Sequence, residues 1–172
     1  KEAGPENTLS LLKQAGVAVT IVSSGNEIAD LKQRIHEVGL QTDRAEQAQT
    51  LMRKVDQLAS QLRQLTPPAK QQKKAVFLLL REDRPASLAG KDTPADAIIQ
   101  LMGATNPAAA DISSYKPASS EALIAMAPDV ILVSQRTLSA IGGVDALLQA
   151  HPMLAATPAG QNKQILPIAG TS

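Results

Sequence analysis

Between residues 28 and 65, apolar positions recur every three or four residues: Ile28, Leu31, Ile35 and Val38, then Ala48, Leu51, Val55, Leu58, Leu62 and Leu65. That spacing predicts a long helical tract, interrupted at Gly39 and stopped by Pro67-Pro68. Its second stretch, 41–65, would extend roughly 37 Å at about 1.5 Å per residue, a length that suits a rod joining two lobes. The alternative is a coiled-coil seam of about three heptads. Ahead of this tract, 6–15 reads as a helix with Leu9, Leu11 and Leu12 on one side and Gly16 closing it. The β-branched run "VAVTIV", 17–22, reads as a buried strand. It is the tail of a βαβ pattern whose earlier strand the sequence does not contain.

The pattern changes after 67–74, "PPAKQQKK". "AVFLLL", 75–80, predicts a strand, and 81–92 a charged loop. Thr93 is placed to cap a helix with Pro94 in its first position, running to Met102 and closed by Gly103. Residues 106–117 read as a loop, and Ser119 or Ser120 as the cap of a helix over 121–127. "VILV", 130–133, is a strand, "GGVDALLQA" opens another helix, and "QILPIA", 164–169, is a last strand. Strands alternating with helices across short connections predict an α/β fold with a mainly parallel sheet.

Composition narrows the function. The 172 residues suit one domain or two small lobes, and 44% hydrophobic content is enough for a core. Seventeen basic against sixteen acidic residues give no nucleic-acid surface. Phe77 and Tyr115 are the only aromatics, so there is no stacking platform for bases. No apolar run reaches the ~18 residues of a membrane span. Without cysteine there are no disulfides or thiolate metal sites. The chain starts at Lys1 and stops at Gly170-Thr171-Ser172 just past an apolar stretch, which reads as a fragment or processed form. A removed signal peptide would leave no trace in it.

Catalytic groupings are missing. "LAGKDT" ends like a phosphate loop, but Pro85 stands where the first glycine is required. His36 and His151 are isolated and read as surface residues, and no carboxylates cluster at ligand spacing. What remains is a set of charges at the ends of strands. Ligands of open parallel sheets bind beyond the carboxyl ends of the strands. Arg81 follows the strand 75–80, and Arg136 follows 130–133 after a short polar step, so both are expected at one edge. Two guanidiniums there suit a dianionic ligand held by forked contacts; the alternative for either is a solvated loop residue. Glu121 falls in the first turn of its helix, where the dipole alone explains an acid.

"KDTPADAIIQLMGATNPA", "YKPASSEALIAMAPDVILVSQR", "GGVDALLQAHP" and "TPAGQNKQILPI" follow one another in an order and spacing that resembles the second half of the periplasmic haem-binding proteins. These are the substrate-binding components of bacterial ABC haem importers. "LLKQAGVAVTIV" and the helical tract resemble the end of their first lobe and its connecting helix. The resemblance implies part of a class III periplasmic-binding-protein fold, in which two α/β lobes are joined by a long helix and the ligand lies between them. On that basis 1–23 is the end of the N-terminal lobe and 24–66 the connecting helix, broken near 39–41. Residues 67–74 are then a linker and 75–172 an incomplete C-terminal lobe.

The resemblance also implies roles. Haem is the transported ligand, and an inner-membrane ABC permease and ATPase complex is the partner, with the protein in the periplasm and no catalysis. The axial tyrosine for the iron belongs to the first-lobe region preceding this sequence, so no metal ligand is expected within it. Where some members carry a second axial histidine, Arg81 stands here. Arg81, Arg136 and Tyr115 are candidates for contact with the haem or its propionates, Tyr115 alternatively being a packed residue. Glu121 matches a glutamate that docks onto permease arginines. Open sheet edges in a fragment raise the prospect of self-association. The rivals are a siderophore or corrinoid binder of the same fold and, in a different class, an α/β enzyme fragment.

Overall fold

The structure, a computed structural model, describes residues 6–65, 72–81 and 84–169, with the side chains of Glu6 and Arg84 outside the description. The expected stop at Pro67-Pro68 and the acidic pair Glu82-Asp83 lie outside the described residues. Chain packing divides the protein into two compact units, Lys1–Gln57 and Leu58–Ser172.

The first described element of the first unit is helix α1, Glu6–Gln14. Gly16, at φ 74°, ends it in the left-handed conformation that glycine adopts at low cost. The segment 17–22 is not the expected strand: it has no regular hydrogen bonding, and Val17 and Ile21 are exposed. A strand needs a neighbouring ladder, and none lies beside it among the described residues of this unit. Side chains of helix α2, Ile28–Gln41, hold the chain at Thr20 and just beyond the segment. Thr20 donates its hydroxyl to Gln41 (3.3 Å). Ser23 donates its backbone N–H and its hydroxyl to the Glu37 carboxylate (2.6 and 2.5 Å). Arg34 donates to the Gly25 carbonyl (2.9 Å).

The helical tract breaks at 42–44, past the expected 39–41. Thr42 and Asp43 end α2: Asp43 takes φ 54° and Arg44 N–H donates to the Gly39 carbonyl (2.8 Å), the 6→1 bond of a Schellman motif. Gly39 does not interrupt the helix. It is buried inside α2, and a Cβ there would run into the Cβ of Ala48 on helix α3, Ala45–Leu65. Lys32 pairs with Asp56 at 2.7 Å farther along. The contacts 39–48 and 32–56 set α2 and this part of α3 antiparallel; the unit boundary falls within α3, after Gln57.

The second unit carries a five-stranded sheet in the order β3-β2-β1-β4-β5. The strands are β1 Ala75–Arg81, β2 Arg84–Ala89, β3 Tyr115–Pro117, β4 Val130–Ser134 and β5 Ile165–Ile168. β1, β4 and β5 are parallel, as the strands at 75–80, 130–133 and 164–169 led one to expect. β2 and β3 are antiparallel additions that correct the expected loops at 81–92 and 106–117. Ala86 and Leu88 are buried while Ser87 is half-exposed, the period-two pattern of a half-buried strand.

Alternation along β1 builds two layers. Val76, Leu78 and Leu80 face one side with Ile131, Val133 and Ile165. Five helices cover that side: α5 Ser120–Met126, α6 Gln135–Ile141, α7 Val144–Ala150, α8 Pro152–Ala155 and α9 Pro158–Gln161, with Leu123, Leu138, Leu147, Leu154 and Ala159 pointing in. Burying each leucine is worth about 1.5–3 kcal/mol. Ala75 and Leu132 face the other side under Ile99 of α4, Pro94–Leu101, with Phe77 half-buried beside them.

Capping hydroxyls fix helix starts. Thr93 accepts from Asp96 N–H and Ser119 from Ala122 N–H, both at 3.1 Å. In "TPAG", Thr157 accepts from Gly160 N–H (3.1 Å) and donates to the Leu154 carbonyl (2.7 Å). Any side chain on Gly160 would strike that same carbonyl, so the motif has a packing reason.

Candidate functional site

The carboxyl edge of the parallel strands gathers the candidate charges. Leu78 of β1 is paired with Val133 of β4. Arg81 ends β1, and Arg136 follows the end of β4 by two residues, so both lie at the carboxyl edge of adjacent parallel strands. Arg81 is the last residue of β1, exposed, next to a register shift in the β1–β2 hairpin. Arg136 is the second residue of α6 and also exposed. Neither guanidinium has a hydrogen bond or ion pair to another described residue.

Arg136 stands where a cation is disfavoured. The first turn of a helix presents unpaired N–H groups, and a like charge there typically costs about 0.3–1 kcal/mol. Such a local conflict is expected where an anion is to be met. Ser134 is at once the last residue of β4 and the N-cap of α6. Its hydroxyl accepts from Thr137 N–H at 3.1 Å and lies 3.0 Å from the Thr137 hydroxyl. Helix α6 was not foreseen, although Ser134 followed by Leu138, Ile141 and Gly142 carries the cap, spacing and stop that would have found it.

Glu121 is exposed in the first turn of α5, where its charge is favourable. In the chain it stands at the opposite end of a helix–strand unit from Arg136. In space both are at the same end. Ala118 N–H bonds the Ala86 carbonyl (2.8 Å), which brings the start of α5 level with the upper part of β1. Asp129 N–H bonds the Lys74 carbonyl (2.9 Å), which returns the chain to the amino end before β4. Helix and strand therefore run in opposite directions.

Tyr115 does not join this group. It pairs with Ala89, one step past the Leu78–Leu88 pair, and so lies level with Phe77. That is about 13 Å from Arg81 along the strand direction and roughly 10 Å across two strand spacings. It is 37% exposed, and burial pushes its hydroxyl above the ordinary 10.0. His36 is exposed on α2, and His151 links α7 to α8 through its backbone alone. Among the described residues no three His, Cys, Asp or Glu side chains group to hold a metal. No helix among them is long and apolar enough to cross a membrane.

Residues 4–169 match the periplasmic binding protein family. No curated protein matches the sequence. Solved structures do. The periplasmic haem-binding protein HutB of Vibrio cholerae is 46% identical over 99% of this chain and 65% of its own, with a TM-score of 0.89. The periplasmic haem-binding protein RhuT of Roseiflexus sp. RS-1 is 34% identical over 98% of this chain and 64% of its own, TM-score 0.87. BhuT, a periplasmic haem-binding protein solved with two haems, is 34% identical over 98% and 63%, TM-score 0.86. The chain thus spans just under two thirds of the length of these structures.

Proposed function

The chain belongs to the periplasmic binding protein family, and we propose that its protein captures haem in the periplasm and hands it to an ABC permease. The observation that carries this is the 46% identity to a periplasmic haem-binding protein over 99% of the chain. The site chemistry supports it. Haem presents two carboxylates at one end of an apolar disc. Arg81 and Arg136 leave adjacent parallel strands at one edge, exposed and unengaged by described residues. Each is suited to a forked bond to a propionate. Tyr115, well below that edge, is left to packing. The same reading assigns 1–23 to the end of a first lobe, 24–66 to the connecting helical tract and 75–172 to the second lobe.

The protein acts by binding and release, without chemistry on the ligand, and the iron arrives as part of the cargo. Glu121, exposed at the start of α5, is the docking contact for permease arginines. One experiment with two arms tests this on the full-length gene product. Haemin titration is expected to shift the Soret band to saturation at one equivalent, and a flat titration overturns haem in favour of another ligand of the same fold. Glu121→Ala is expected to keep haem affinity while impairing uptake; equal losses in both overturn the docking role.

A further inference from the structure

We propose that Ser134, with Thr137, is the positioning residue for Arg136. This rests on the haem reading above and concerns how this chain aims its guanidinium at a carboxylate of a tetrapyrrole. β4 passes into α6 with no connecting residue: Ser134 closes the strand and Gln135 opens the helix. Ser134 is held on both counts. In the sheet it is in register with Ile168 of β5. At the helix its backbone is extended (φ −67°, ψ 137°), and its hydroxyl takes Thr137 N–H and meets the Thr137 hydroxyl.

Arg136 lies between these two residues, so the hydroxyl pair clamps the backbone on either side of it. Leu138, buried one residue later, ties the same turn to the core. The arginine itself is exposed and has no described partner to orient it. Among the described residues, what orients it is where the backbone releases it. A forked guanidinium–carboxylate contact demands direction as well as charge, and a loosened supporting contact is felt as lost affinity. The clamp also holds Arg136 in a helix turn where its charge is disfavoured. Without Ser134 that turn is the one expected to fray.

The test uses the full-length gene product, titrated with haemin and with haemin dimethyl ester in one detergent-containing buffer. The diester keeps the iron and the porphyrin face and loses both carboxylates. Arg136→Ala is expected to weaken haemin and spare the diester. Ser134→Ala is expected to weaken haemin about three- to tenfold, the size of a lost helix cap, and to spare the diester as well. Ser134→Thr, which keeps a capping hydroxyl, is expected to bind both as the parent does. Equal losses on the two ligands make Ser134 a folding residue and overturn the proposal. So does full haemin affinity in Ser134→Ala beside a loss in Arg136→Ala. If Arg136→Ala itself binds haemin normally, the Arg136 contact falls and the positioning role with it. A flat titration of the parent protein is the separate failure of the haem reading.

Discussion

Glu37 ties the irregular segment before α2 to the helix. It accepts the backbone N–H and hydroxyl of Ser23 and a bond from the Gln33 amide (2.9 Å). The Ser23 hydroxyl, then its N–H, then Gln33 hold the carboxyl below its ordinary 4.5, with burial opposing them. A lowered folded value means the charged form is favoured by folding. The contribution is therefore present in full above about 4.5 and is lost as pH falls through the lowered value. Glu37→Gln is expected to be less stable than the parent at neutral pH, with the gap closing in acid below that value. Denaturant melts at several pH values measure it, and a gap that is constant or widens in acid contradicts the tie. Arg136 and Glu121 show the opposite legibility. Their residue types and places near element ends were plain in the sequence, while their shared edge depends on α5 and β4 running in opposite directions.

The turn between α2 and α3 is an instance of element logic that inverts a sequence rule. Glycine inside an apolar stripe reads as a break, because it costs a helix about 1 kcal/mol relative to alanine. Here Gly39 is where two helices approach, and Ala48 occupies the room its missing side chain leaves. Gly39→Ala therefore sets a propensity gain of about 1 kcal/mol against overpacking of typically about 1–3 kcal/mol. Because the Ala48 Cβ is fixed to the α3 backbone and the Arg44 carbonyl also lies close, overpacking is expected to win, and the variant to melt lower. Ala48→Gly introduced beside it should recover much of the loss. A Gly39→Ala protein that melts higher than the parent removes the close approach. The segment 17–22 failed as a strand for a related reason: β propensity supplies no partner, and side chains of α2 hold the chain only at Thr20 and, just past the segment, at Ser23 and Gly25. β2 was legible through the alternation Ala86, Ser87, Leu88, but the charges along 81–92 read as a loop.

At the scale of the molecule the sheet edges matter. Self-association through open edges was expected of a fragment, yet both edge strands carry a proline. Ile131 N–H bonds the Gln164 carbonyl (2.9 Å), so in parallel register Ile165 and Pro167 present their backbone nitrogens outward. On the other edge, Gly90 N–H bonds Ser114 and Ala118 N–H bonds Ala86, which turns the nitrogens of Tyr115 and Pro117 outward. At each edge a proline deletes one of the donors a second chain would use. Replacing Pro117 and Pro167 together by valine is expected to shift sedimentation towards larger species at raised concentration. An unchanged distribution means that proline is not what guards these edges.

Local pattern alone determined the helical tract, the strands β1, β4 and β5 and the cap at Thr93, because each depends on neighbours within a few residues; between Ser119 and Ser120 it left the next cap open, and the structure places it at Ser119. The order of charged residues near strand ends was equally local, and so was the motif order that resembles the haem-binding family. Only tertiary structure decided that β2 and β3 extend the sheet, that Gly39 joins rather than divides, and that Tyr115 lies far from the arginines. It also set Glu121 and Arg136 on one edge. Those are matters of register and of contact between distant segments, which hydrogen-bond geometry and close packing select among several arrangements that one local pattern permits.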